Sequence, residues 1–183
     1  ANITNVGGGA STVNVTCSGS VAAVPPPIIE VNPSVLNGFS YTFGSGPSTS
    51  QTYNLYGNYL TGYPSNITLT APSKYEISLD NSLFSTSLLV PYNAPLLNGT
   101  PIYVRLKAGV AVGTYNSQNI THSGGGASSK TVTCNGNVTA APVINLTVSP
   151  SNLSGFTYIS GSGPSTSQSY NLTGTNLTGF PSS

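Results

Sequence analysis

The chain has 183 residues, of which 37% are hydrophobic and only 4% charged, with a formal net charge of +1. A soluble domain ordinarily carries about a quarter charged residues. The balance here excludes an electrostatic footprint for nucleic acid or for an anionic membrane, and the hydrophobic share excludes ordinary charge-driven disorder.

No apolar run approaches the ~20 residues of a membrane-spanning helix, so membrane insertion is not expected. Solubility falls to Ser, Thr, Asn and Gly. Strand-favouring Thr, Tyr, Val and Ile are plentiful, while the helix formers Glu, Lys, Gln and Met are scarce. An all-β chain follows. The start, "ANITNVGGG", has neither a leader nor an initiator Met and suggests the continuation of something longer.

In chain order the predicted strands are "IIEVNP", "FSYTFG", "SQTYNLYG", "NITLTAP", "KYEISLD", "STSLLVPY", "PIYVRLKA", "GTYNSQNITHS" and "KTVTCNGNV". Gly, Pro, Asn and Ser separate them, as turn chemistry requires. Alternation is clearest in "PIYVRLKA", where Ile102, Val104 and Leu106 share one face and Tyr103, Arg105 and Lys107 the other. Seven to nine short strands in ~115 residues predict a two-sheet sandwich of immunoglobulin-like type. A barrel is the lesser alternative, and the Cys–Trp–Cys pattern of antibody domains is absent.

The same sequence is written more than once. "SGPSTSQ" stands at Ser45–Gln51 and again, 117 residues on, at Ser162–Gln168. With that offset, residues 1–66 align with 118–183 without a gap, and 39 of the 66 positions are identical. Such a period exceeds the roughly 20–50 residues of solenoid repeats and matches a whole domain. Proline clusters mark the boundaries, with Pro25 and Pro142 in short, stiff inter-repeat linkers. The expected organisation is the C-terminal part of one repeat (1–25), a complete repeat (26–142) and the N-terminal part of the next (143–183).

Cys17 and Cys134 are also 117 apart. They are one position seen twice, which argues against a mutual disulfide and for equivalent buried thiols acting as small hydrophobes. A bond between neighbouring units or chains is the alternative.

Catalytic material is thin. His122 is the sole histidine, and Glu30, Glu76 and Asp80 are the sole acids. A Ser/His/Asp set can be assembled from His122 and Asp80 on paper, but the residue aligned with His122 is Asn5. The expectation is a solvated strand histidine and no enzyme. Neither calcium nor zinc chemistry finds its usual ligand set, so no cofactor or metal is expected. "GSGPS" and "GGGAS" lack the following helix and Lys of a phosphate loop and suggest turns or bulges. Lys74 and Glu76 are placed to pair weakly at the surface.

Asn-x-Ser/Thr occurs at Asn2, Asn14, Asn66, Asn98, Asn119, Asn137, Asn145, Asn152, Asn171 and Asn176. Glycosylation is one reading. Strand alternation is the favoured one, since it sets Asn and Thr on an outer face around an inward Ile, Val or Leu.

Several segments together carry a family resemblance: "LSGFTYISGSGPSTSQSYNLTGTNLTG", "ITLTAPSKYEISLDNSLFSTSLLV", "IYVRLKAGVAVGTYNSQNIT" and "KTVTCNGNVTAAP". The chain resembles a tandem Ig-like repeat of large secreted and cell-surface proteins of Bacteroidetes. The resemblance implies adhesin-like arrays exported by a system that reads a C-terminal sorting domain, with units serving as shafts or spacers. It supplies no catalytic residues.

The expected function is therefore a non-catalytic structural repeat of an extracellular filament or adhesin shaft at the cell surface. Its expected partners are copies of itself, in tandem and side by side. The alternatives are a carbohydrate-binding module for surface glycans, holding sugar through Tyr53, Tyr56, Tyr59 and Tyr63, and an inert spacer in a secreted enzyme.

Overall fold

A computed structural model describes residues 1–179. Residues 180–183, the end of the segment 143–183, lie outside the described residues. Every regular element among the described residues is a β-strand. In chain order these are β1 (Asn2–Gly7), β2 (Ala10–Thr16), β3 (Ile28–Asn32), β4 (Val35–Thr42), β5 (Gln51–Asn58), β6 (Ser65–Thr70) and β7 (Tyr75–Ser78). There follow β8 (Ser87–Tyr92), β9 (Leu97–Leu106), β10 (Gly113–Thr114), β11 (Gln118–Gly124), β12 (Ala127–Thr139), β13 (Asn145–Ser149) and β14 (Asn171–Thr175).

Strands β3 to β12 build a sandwich-like body from two sheets. One has the order β3-β5-β9-β7. In the other, β12 pairs with β11 and β10 along one side and with β4 along the opposite side, while β11 continues to β6 and β8. Alternation decides what faces inward. In β9, Ile102, Val104 and Leu106 are fully buried, and in β6, Ile67 and Leu69 are too. One core joins the sheets: Phe39 of β4 meets Tyr75 of β7 edge-on at 5.3 Å.

The structure departs from the expected elements in several places: β9 and β12 begin earlier than expected, and two further departures have a clear cause. "GTYNSQNITHS" is two strands, because the chain turns out of the ladder at Ser117, which has φ 55° and donates its N–H to Asn135 Oδ1 at 2.8 Å. Strand β4 begins at Val35, ahead of "FSYTFG", because its partner β12 is long enough to pair with that stretch as well.

Within the body, the sequons at Asn66 and Asn119 follow alternation. Ile67 is buried between the exposed Asn66 and half-buried Thr68, and Ile120 between the exposed Asn119 and Thr121. Thr133 Oγ1 donates to Asn119 Oδ1 at 3.0 Å, so part of the outer face is a cross-strand polar ladder.

Two two-stranded sheets stand outside this body. β1 pairs only with β2, and β13 only with β14. All four strands are exposed along their whole length.

Candidate functional site

The body is closed by its two ends. β4, near the start, and β12, at the end, pair in parallel from Val35↔Thr133 to Thr42↔Thr139. The closure is extended by Thr133 N–H donating to Ser34 O and Phe43 N–H to Thr139 O. A register shift between Cys134 and Gly136 brings β4 unusually close. A Cβ on Gly136 would lie 2.5 Å from the Phe39 carbonyl oxygen. Glycine is therefore required here by proximity, since its φ is not in the left-handed region.

Chain entry and exit lie at opposite poles. Pro27 sits beside the β11–β12 turn, with its ring 3.5 Å from where a Cβ of Gly126 would be. Thr61 N–H donates to Gly125 O in the same place. From there β12 runs through its 13 residues to Thr139. At about 3.3 Å per residue this places the exit roughly 40 Å from the entry.

Of the residues assigned a structural role from sequence, Cys134 is buried in the core, and burial pushes its thiol up to about 12. Cys17, expected as its buried equivalent, is exposed. It follows β2, and β2 has only β1 beside it, whereas Cys134 lies under two sheets. Pro25 and Pro142 are exposed in irregular stretches between strands.

His122 corrects the expectation of a solvated side chain. It is fully buried. Its Nδ1–H donates to the Lys130 carbonyl at 2.9 Å, so the bare Nε2 accepts from the Tyr53 hydroxyl at 2.7 Å. Desolvation holds the imidazole below its ordinary value, only partly opposed by the Lys130 carbonyl. Burial likewise raises the Tyr53 phenol far above its usual range. The signal that locates this histidine is its parity with Ile120 on β11.

Asp80 is not brought to His122. Its carboxylate accepts from Ser78 Oγ at 2.7 Å and from the Ser82 and Leu83 N–H groups at 2.9 Å, which ties the turn after β7. Those donors hold its carboxyl below the usual range. Glu76 does not pair with Lys74 as expected. Cross-strand register sets it against Arg105, Nε to Oε1 at 2.7 Å, and Arg105 also lies 3.8 Å over the Phe84 ring.

Of the tyrosines named for sugar contact, Tyr53 is removed by burial, while Tyr59 and Tyr63 are about half exposed. The structure offers a different polar feature. A shallow cavity of about 310 Å³ beside the β4–β12 closure is lined by Asn37, Asn116, Asn135 and Asn137 with Thr114. Asn135 Nδ2 donates to Asn37 Oδ1 at 2.8 Å. Among the described residues no group of three or more His, Cys, Asp or Glu could hold a metal ion, and no helix is long and apolar enough to cross a membrane.

A search of protein-family models finds no match, and a search of curated proteins finds none either.

Proposed function

We propose that the chain is a non-catalytic structural repeat of an extracellular or cell-surface filament or adhesin shaft. It is built of tandem immunoglobulin-like units of about 117 residues, divided at 1–25, 26–142 and 143–183. The observation that carries this reading is the polarity of the body. The chain enters at one pole, beside Pro27, and leaves at the other, after Thr139. Units joined this way advance by roughly 40 Å each instead of folding back on one another. Tension along the array pulls β4 and β12 past each other lengthwise, which loads their parallel hydrogen bonds together.

The resemblance to Bacteroidetes surface repeats agrees with such a role. Electron microscopy of native cells, labelled with antibody to residues 26–142, tests it. Labelled fibres with an axial period of one or a few times ~40 Å are expected; label confined to soluble material without fibres would overturn it.

A second reading, a module for neutral surface glycans, is favoured by the amide-lined cavity. Glycan-array binding that is lost on Asn135→Ala would select it over the shaft.

A further inference from the structure

Asn followed by Gly is a reactive step in a polypeptide, because the unhindered glycine nitrogen can attack the Asn side-chain carbonyl and expel its amide. The sequence holds three such steps, Asn37–Gly38, Asn98–Gly99 and Asn135–Gly136, and the fold treats them differently. Gly136 is buried in register within β12, against the Phe39 carbonyl. Asn98 and Gly99 together face Tyr56 in a bulge of β9, but the Tyr56 ring covers Gly99, 2.8 Å from where its Cβ would be. Asn37 and Gly38 together face Asn135, on the longer side of the β4–β12 register shift. Both are exposed, Gly38 has φ 80°, and no described atom lies within 4 Å of its would-be Cβ. The extra residue of a bulge leaves the ladder, so of the three glycines Gly38 has both the room and the freedom to turn its nitrogen.

Both reacting groups are polarised. Asn135 Nδ2 donates to Asn37 Oδ1 at 2.8 Å, and Asn135 is itself held by the Ser117 N–H, which donates to its Oδ1 at 2.8 Å. Negative charge gathers on Asn37 Oδ1 when Cγ is attacked, so the Asn135 donor is aimed at developing charge. Gln51 Nε2 donates to the Asn37 backbone carbonyl at 2.7 Å. That carbonyl shares a peptide unit with the Gly38 N–H, and a donor on it makes the N–H more acidic. Gln168 makes the same bond to Ser154, the counterpart of Asn37. The brace therefore recurs at the offset of 117, whereas Asn37 and Asn135 both correspond to serines, Ser154 and Ser18.

We propose that Asn37 is a self-modifying site, converting to aspartate and isoaspartate through a cyclic imide with Gly38. Water takes the Gly38 N–H proton, the nitrogen bonds to Asn37 Cγ, and the Cγ–Nδ2 bond breaks. Ammonia leaves with the proton that water returns. A second water then opens the ring, at one carbonyl to give aspartate and at the other to give isoaspartate, whose chain runs through the former side chain. The balance is one water consumed and one ammonia released. The product carboxylate stands in the amide-lined cavity, and as one added acid it takes the formal net charge from +1 to 0. The aspartate keeps an acceptor for Asn135. The proposal stands on the bulge and its donors and requires neither the shaft nor the glycan reading.

The test is incubation of the whole chain in mildly alkaline buffer, with peptide mapping by mass spectrometry at intervals to read the conversion of amide to acid at each Asn. Asn37 should convert first, Asn98 later and Asn135 last. Asn98 serves as an internal clock for any loosening of the body, so the readout is the ratio of the Asn37 rate to the Asn98 rate. Asn135→Ala should lower that ratio about fivefold, the factor of one net hydrogen bond. Gln51→Ala should lower it as well. In concentrated urea the Asn-Gly steps should convert at similar rates, and neither substitution should change the ratio. An Asn37 that does not convert in the folded chain overturns the proposal. So does Asn98 or Asn135 converting ahead of it, or a folded-state ratio that either substitution leaves unchanged or raises.

Discussion

Acid should weaken this protein through one side chain. His122 is neutral in the fold, with its Nδ1 proton on the Lys130 carbonyl and its Nε2 holding the Tyr53 hydroxyl. Protonation makes Nε2 a donor, so Tyr53 must redirect its own proton inside a core where Cys134 is a neutral thiol. The folded-state value lies below the ordinary 6.5 of the unfolded chain. Below that pH the unfolded state binds a proton that the folded state does not, so stability is complete above pH 6.5 and falls as pH drops toward the folded value. One proton is worth about 1.4 kcal/mol per pH unit, so stability falls with at most that slope as pH drops below 6.5. Urea unfolding followed by tyrosine fluorescence at a series of pH values measures it. His122→Gln retains an acceptor for Tyr53 but cannot titrate, and its midpoint should stay flat over that interval. Asp80 titrates lower still, because its carboxyl is held below the usual range. A parent chain indifferent to pH down to 5, or a Gln variant with the same slope, would refute the reasoning.

Gly136→Ala should cost about 2–3 kcal/mol in the same urea assay, since its methyl would sit 2.5 Å from the Phe39 carbonyl; a neutral effect would mean β4 does not approach so closely. In dilute solution Cys17 should react at once with a disulfide reagent, and Cys134 only as fast as the body opens; two fast thiols would show that the core around Cys134 is not closed. Arg105→Ala should cost about 1 kcal/mol through its Glu76 pair and the Phe84 ring, part of it screened by salt. A loss fully abolished by salt would assign all of it to the ion pair.

What sequence revealed here is what alternation encodes. The inward set of β9 and the outward Asn and Thr around Ile67 and Ile120 follow from a period of two. His122 was legible by the same rule, because it shares the parity of Ile120, but its polarity argued for solvent. Its partner Tyr53 lies 69 residues away, and no local pattern announces that contact. The Glu76–Arg105 pair depends on the β7–β9 register in the same way. Least legible was the parallel closure of β4 on β12, which joins residues nearly a hundred positions apart. Gly136 marks it, but a glycine in a strand signals a close approach without saying what approaches.

A chain with so little charge must protect its sheet edges by other means, and the structure shows which. Edge strands usually resist further pairing through charge, proline, bulges or brevity. Here β8 carries Pro91, β7 has four residues, and β3 has five with Pro33 just beyond. β4 is broken by Gly38 at φ 80° and by the register shift opposite Gly136. All four edges of the body are therefore short or irregular, and none offers a long flat ladder to a neighbour lying alongside. Backbone irregularity, instead of charge, thus blunts the edges of a nearly uncharged body against a flat, unbroken ladder.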